Sequence, residues 1–257
     1  MALTEDGYVY VWGLNSNGEL GTRTYEAVKE PTQLSYVNDI LDIALGRNHT
    51  LLLTEGGKVL TSGSNLYGQT AKTDGKSNVF EEIHLDELVG RIAAGDNHSV
   101  LLTVGGEVYT FGYNVKGQLG SGDNKNITTP TKVSGISNIM QISAGKNHIV
   151  AIDEEGKGYT WGINNNGQLG NNTTTNSSYA LQVLDSSGTG YLSNIKEVSV
   201  GGTYVAALAK DGTVWSWGLG TSAQMGDGSK TTRKLPVQAK SVTDVKKVVT
   251  GYYHTLV

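Results

Sequence analysis

The chain has 257 residues, with 35 Gly, 3 Pro and no Cys, and 37% hydrophobic and 17% charged residues. Zero Cys removes disulfides, thiolate metal sites and cysteine nucleophiles together. With 20 basic against 24 acidic residues, the net charge of −4 argues against a nucleic-acid or anionic-membrane partner. No apolar run approaches the ~18 residues of a membrane helix. Met1-Ala2-Leu3-Thr4-Glu5-Asp6 lacks the basic start and apolar stretch of a signal peptide, and no compartment follows from the composition.

From the N-terminus, Tyr8–Trp12 alternates like a strand and ends on Trp12-Gly13, with Pro31 lying 18 residues beyond Gly13. Gly46-Arg47-Asn48-His49 follows, and its Gly-x-x-His phrase returns at Gly95–His98, Gly145–His148 and Gly251–His254, with Gly201–Tyr204 as an altered copy. The aromatic-Gly phrase returns at Phe111-Gly112, Trp161-Gly162 and Trp217-Gly218, with Ser62-Gly63 degenerate. From the first glycine to the next aromatic-Gly glycine is always 17 residues, and the return takes 33, 32, 33, 39 and 33. Pro130 and Pro236 keep the offset of Pro31. A unit of about 50 residues therefore occurs five times, with a six-residue insertion in the fourth return.

Each unit predicts four short strands. Strand A precedes the Gly-x-x-His glycine (Ile139–Ala144) and strand B follows it (His98–Thr103). An acidic-Gly turn such as Asp211-Gly212 leads into strand C, predicted near 8–12, 58–62, 107–111, 157–161 and 213–217. Strand C puts Tyr10, Leu60, Tyr109, Tyr159 and Trp215 on one face, joined by Trp12, Phe111, Trp161 and Trp217 two residues on. Val9, Val11, Val108, Thr110, Thr160 and Val214 line the other. Strand D carries the prolines, which places it at a sheet edge. Four-stranded units repeated radially give an all-β fold, a β-propeller spanning 1–257 with units meeting near 46, 95, 145, 201 and 251 and no helix beyond a turn or two.

The runs Ile142–His148 and Tyr159–Gly170 resemble the regulator of chromosome condensation repeat, and the resemblance extends over essentially the whole chain. It implies a propeller, although well-known members have seven blades where this chain has five units. It also implies protein partners, and in some members nucleotide exchange on a small GTPase or inhibition of an enzyme.

Aligning His254–Val257 with His49–Leu52 makes Leu53 the equivalent of Leu3, so the last unit has strands A and B and the first only C and D. This fits a ring closed by strands from both termini, with Val257 pairing beside Tyr8–Trp12, as a monomer or by domain swapping as a dimer. It fits equally a repeat array cut at a unit boundary.

Chemistry is sparse. Equivalent histidines lie on different blades, and a metal needs ligands converging at ~2 Å, so the histidines read as half-buried structural groups satisfied by backbone. Asn15, Asn65, Asn114 and Asn164, with Gln69, Gln118, Gln168 and Gln224 and with Glu19 in the first unit, read as turn-shaping residues. Gly117–Gly122 lacks the Lys-Ser/Thr of a phosphate loop. No nucleophile–base set, metal site or cofactor site is predicted.

What remains is surface. The loops between C and D (13–30, 63–80, 112–129, 162–179, 218–235) are long and varied, and share one face with the A–B turns. Candidate partner-binding residues there are Arg47, Tyr67, Asp96, Lys146, Tyr252 and Tyr253. Asp185 and Tyr191 sit in the insertion, expected to extend the opposite face. The expected function is a non-enzymatic protein-interaction scaffold. Nucleotide exchange, using the 184–193 insertion as a wedge, and enzyme inhibition through one face are the alternatives.

Overall fold

Wherever the sequence alternates and then meets a Gly-containing turn, an antiparallel strand pair forms. A computed structural model describes residues 1–73 and 75–257, and Asp74, inside the 63–80 loop, lies outside the described residues. The chain divides into two compact units, Met1–Asn114 with Lys125–Lys132, and Val115–Asn124 with Val133–Val257.

In the first unit, β1 (Ala2–Leu3), β2 (Val9–Gly13) and β3 (Val28–Gln33) form a three-stranded sheet. Two four-stranded sheets follow: β4 (Ile40–Leu45), β5 (His49–Thr54), β6 (Val59–Ser64) and β7 (Lys76–Glu82), then β8 (Val89–Ala94), β9 (His98–Thr103), β10 (Val108–Gly112) and β11 (Ile127–Lys132). The second unit has two more, β12 (Ile139–Ala144), β13 (His148–Asp153), β14 (Gly158–Gly162) and β15 (Ser177–Gln182), then β16 (Ile195–Val200), β17 (Tyr204–Ala209), β18 (Val214–Gly218) and β19 (Arg233–Gln238). It ends with β20 (Val249–Thr250) paired to β21 (Thr255–Leu256). Strands pair in sequence order, each antiparallel to the next, and no helix occurs among the described residues.

The predicted C strands are β2, β6, β10, β14 and β18, each beginning one residue later than expected. The second strand of each complete sheet is covered on both faces, so β9, β13 and β17 are buried along their whole length. Phe111, Trp161 and Trp217 are fully buried on the bulky face of their strands. Trp12 is not, at 42% exposed. Its strand pairs with β1 only at Leu3↔Val9 and Ala2↔Tyr10, which leaves Trp12 without a neighbour on that side. The ring-closing pair expected beside Tyr8–Trp12 is not among the described strand pairings, since Ala2–Leu3 takes that edge at Val9 and Tyr10. Thr255–Leu256 pairs with Val249–Thr250.

Pro31, Pro130 and Pro236 sit in the outermost strands β3, β11 and β19, as their missing N–H requires. Leu34 N–H donates to Val9 O at 2.9 Å and Ala239 N–H to Val214 O at 2.8 Å. Donors alternate along a strand, so the prolines, an odd number of residues away, face outward. The loops leaving β2, β6, β10 and β14 then rest on the outermost strands β7, β11, β15 and β19. Arg23 N–H donates to Asn78 O (2.7 Å), Gly122 N–H to Ser178 O (2.8 Å) and Asn172 N–H to Lys234 O (3.1 Å). Gly68 shows why this needs glycine: φ is +91°, and a Cβ would lie 2.7 Å from Thr128 Cα.

The Gly-x-x-His phrase has a packing explanation. A Cβ on Gly46 would collide with the His49 ring, so the glycine is the floor on which the imidazole lies. His49 Nε2 then meets Ser99 Oγ of the next sheet at 3.0 Å, and Ser99 Oγ donates to Gln69 O at 2.7 Å. Where Tyr204 replaces histidine, its hydroxyl donates to His254 O (2.5 Å) and meets Thr255 Oγ1 (3.0 Å), which donates to Gln224 O (3.0 Å). Both relays use the residue after the phrase's last position in the next unit. Val205 occupies that place after His148, whose ring nitrogens have no partner among the described residues.

The histidines therefore depart from the half-buried, backbone-satisfied reading. His49, His98 and His148 are fully buried, and His254, in the turn between β20 and β21, is exposed. Ser99→Ala removes the hydroxyl from both His49 and Gln69 and is expected to cost about 1–3 kcal/mol in urea unfolding. A change within error would mean that the relay contributes nothing.

Candidate functional site: the loop face

The loops that follow the C strands are held from inside. Asn15 Oδ1 accepts from Leu20 N–H (2.8 Å), Asn65 Oδ1 from Thr70 N–H (3.0 Å) and Asn164 Oδ1 from Leu169 N–H (2.9 Å). Their amide nitrogens donate to Thr24 O (2.9 Å), Lys72 O (2.7 Å) and Thr175 O (3.0 Å), tying the two sides of each loop together. The second column clamps the tips: Gln69, Gln118, Gln168 and Gln224 Oε1 accept from the N–H two residues earlier at 2.8–2.9 Å, and Glu19 does the same. The first four loops thus carry both columns of the frame, as the sequence predicts, and the last keeps Gln224 with Gly220 in place of the Asn.

What the frame displays differs from unit to unit. Position 66 shows Leu at 73% exposed, while Ser16, Val115, Asn165 and Thr221 stand at the equivalent places. In the first unit the half-buried Tyr67 stacks on Tyr113, with ring centroids 4.9 Å apart and planes tilted by 59°. Beside it lies an open pocket of about 340 Å³ bounded by Leu66, Tyr67, Lys72, Asn126 and Thr128.

The predicted residues gather into small groups. Arg47 is exposed and Asp96 half-buried, joined by a backbone bond from Arg47 N–H to Asp96 O (3.1 Å). In the second unit, Lys146 N–H donates to Gly202 O (3.3 Å), and a Cβ on Gly202 would lie 2.9 Å from the Tyr252 ring. Tyr252 packs edge-on against Tyr253 at 4.5 Å, both half exposed, so Lys146, Tyr252 and Tyr253 meet around Gly202. Asp185 and Tyr191 lie apart from that group, in one hairpin closed by the Leu184↔Tyr191 bridge. The hairpin's tip meets the outermost strand of the next sheet, where a Cβ on Gly188 would lie 3.2 Å from Leu235.

The Ser99–His49 contact has the spacing of a nucleophile and its base, but the wrong polarity. Ser99 spends its only proton on Gln69 O, so the His49 Nε2 must carry the proton and donate. It cannot accept one. Burial pushes the His49 and His148 imidazoles down to about 4. No group of three metal-ligating side chains occurs among the described residues.

The family model described as RCC1-like domain matches residues 1–257. The chain belongs to the RCC1-like domain family. Among related RCC1-like proteins, the RCC2 homolog of Danio rerio is 38% identical over 71 residues, which is 27% of this chain and 14% of that protein. Human WBSCR16, a solved structure, matches with a TM-score of 0.85 at 21% identity, over 98% of this chain and 67% of that one. Yeast RCC1 (Prp20), solved with Kap60 bound, matches with a TM-score of 0.82 at 26% identity, over 98% of this chain and 62% of that one. The all-β sheets are those of the RCC1-type β-propellers. No described helix is long and apolar enough to cross a membrane.

Sequence reasoning missed Tyr113 and Leu66, which complete the surface at Tyr67. Only Tyr67 stood out in the sequence, because Asn17, Lys116, Asn166 and Ser222 are polar at its place in the other units, whereas Tyr113 shares its place with Leu14, Ile163 and Leu219. Also missed was the relay that makes His49 of this RCC1-like domain an inter-sheet tie. Since the phased histidines stand at separate places in the repeat and no group of three metal-ligating side chains occurs among the described residues, chelators are expected to leave the melting temperature unchanged. A fall of many degrees would reassign the histidines as ligands.

Proposed function

We propose that this RCC1-like chain is a non-catalytic scaffold that binds a protein partner through its loop face. The carrying observation is the combination of a recurring Asn/Gln frame with unlike exposed tips. A preformed loop loses little entropy on binding, and unlike tips confer selectivity. The Leu66–Tyr67–Tyr113 surface supplies the aromatic anchor that such an interface uses at its centre. The complex of yeast RCC1 with Kap60 is further support. Affinity capture with the intact chain, run beside a Leu66→Asp/Tyr67→Ala variant, tests the reading. A partner retained by the chain and lost by the variant supports it, whereas equal capture by both rejects this surface.

Nucleotide exchange on a small GTPase is the second reading, resting on family membership. The insertion is poorly suited to act as a mobile wedge. Asp185 Oδ1 accepts from Ser187 N–H and Gly188 N–H, both at 2.9 Å, and the hairpin tip lies on Leu235. Accelerated release of labelled GDP from a panel of small GTPases would establish exchange, and no acceleration would leave the scaffold reading. Ring closure as a monomer is also proposed, and light scattering separates a mass near 27.3 kDa from a swapped dimer of about twice that.

A further inference from the structure

The insertion lines the larger of two grooves that run along outermost strands among the described residues; the other, of about 390 Å³, has Tyr109 and Pro130 where this one has Trp215 and Pro236. Ser186 of the insertion and the preceding loop's Asn172 form one wall of the larger groove, which is open and of about 640 Å³. The floor is the outermost strand β19 together with Trp215 of β18. Two features hold that wall in place: the Asp185 turn and the Asn172 N–H bond to Lys234 O. The groove is thus shaped before any ligand arrives.

Its charge is opposite to that of the chain. Between residues 228 and 243 stand Lys230, Arg233, Lys234 and Lys240 and no Asp or Glu, in a chain whose net charge is −4. Arg233 is neutralised by the buried Asp227 carboxylate, to which its Nε donates at 2.8 Å. Lys234 lines the groove, is exposed, and has no carboxylate partner among the described residues; exposed Lys230 and Lys240 flank it in sequence. Half-buried Trp215, its indole N–H held by Thr213 Oγ1 at 3.1 Å, and buried Pro236 supply apolar floor.

The strand edge itself cannot be the main recognition element. Pro236 offers no N–H, and Lys234 O is already occupied by Asn172. Recognition must then come from side chains: one unpaired cation with two flanking it, the Ser186 and Thr232 hydroxyls, the Asn172 amide and the indole. These are donors for carboxylates, beside a surface for aliphatic or aromatic neighbours.

We propose that this groove is a second docking site, for an acidic extended segment of a partner protein. It does not rest on the loop-face reading, because all its lining residues belong to the second compact unit and none belongs to the Leu66–Tyr67–Tyr113 surface.

The test is fluorescence anisotropy of the intact chain with a fluorescein-labelled octa-glutamate peptide at low salt. Octa-glutamine and a single-stranded oligo-dT of equal length serve as comparison probes. Binding of the glutamate peptide is expected to weaken roughly tenfold in Lys234→Glu and to fall with added salt. It is expected to hold in Lys29→Glu, which makes the same charge change on β3, and in Tyr67→Ala. Replacing the Leu184–Tyr191 hairpin by a short Gly-Ser turn should weaken it as well, with melting curves confirming that each variant is folded. Equal loss in Lys29→Glu would mean diffuse electrostatics and overturn the proposal. So would unchanged binding in Lys234→Glu, or binding of oligo-dT as tight as that of the glutamate peptide.

Discussion

Acidification from pH 6.5 to 4 is expected to remove about 3 kcal/mol of stability for each of His49 and His148. Both are fully buried, and burial pushes each down to about 4 from an ordinary 6.5. The folded protein thus keeps these rings neutral at pH values where the unfolded chain has already taken up the proton. In that window the unfolded state binds more protons, so stability is fully present above pH 6.5 and falls as pH drops towards 4. Below the folded pKa the loss is complete. Two such groups remove about 6 kcal/mol, comparable with the whole stability of many domains. Urea midpoints measured from pH 7.5 to 4.5 should fall steeply. His148→Leu should reduce the slope by close to one proton whatever it does to the absolute stability. A flat profile between pH 6.5 and 5 would show that the rings ionise in place. Asp227, held below the ordinary carboxylate range by the Arg233 guanidinium and the Ser229 hydroxyl despite its burial, acts in a separate window, below its ordinary 3.8.

Trp217→Ala is expected to cost about 3–5 kcal/mol, since a fully buried indole leaves a cavity that rigid strands cannot close. Comparison with Trp161 isolates the polar part. Trp217 Nε1 donates to Gln168 O at 2.9 Å, whereas Trp161 Nε1, at the same place one unit earlier, has no acceptor among the described residues. Phe keeps most of the ring and loses the N–H. Trp217→Phe should therefore cost about 1 kcal/mol more than Trp161→Phe. Equal costs in denaturant unfolding would show that the indole hydrogen bond contributes nothing net.

The fold was legible because its signals are periodic. Aromatic-Gly and Gly-x-x-His recur from unit to unit, the prolines mark three of the outermost strands, and two-residue alternation then fixes which residues of β10, β14 and β18 share a face. The histidine environment was less legible, because what meets His49 comes from a neighbouring sheet some 50 residues on. The Ser99 hydroxyl that ties it could have been noticed: Ser99 and Thr255 carry hydroxyls where Ile149 and Val205 do not. The loop frame was visible as columns of Asn and Gln, because a frame must repeat. The displayed surface was visible only in part. Tyr67 was legible as an exposed aromatic, but its partner Tyr113 lies 46 residues away, at a place where Leu14, Ile163 and Leu219 stand in other units. The groove at Lys234 was not legible at all, because it needs the insertion to fold back on β19, and no pattern in one strand encodes that contact.

The outward-facing prolines bear on self-association. A sheet's last strand is a template on which another molecule can grow unless something blocks it. β3 and β19 carry both proline and charge, β11 has Pro130 and Lys132, and β7 has Lys76, Glu81 and Glu82 in place of a proline. β15 reads Ser-Ser-Tyr-Ala-Leu-Gln and has neither. Ala180 stands where Pro130 stands one unit earlier, with a backbone already suited to an outward position. Unwanted fibrillar growth in concentrated or aged samples would therefore start at this one strand, and a proline at 180 is the single substitution that would give it the protection its neighbours have.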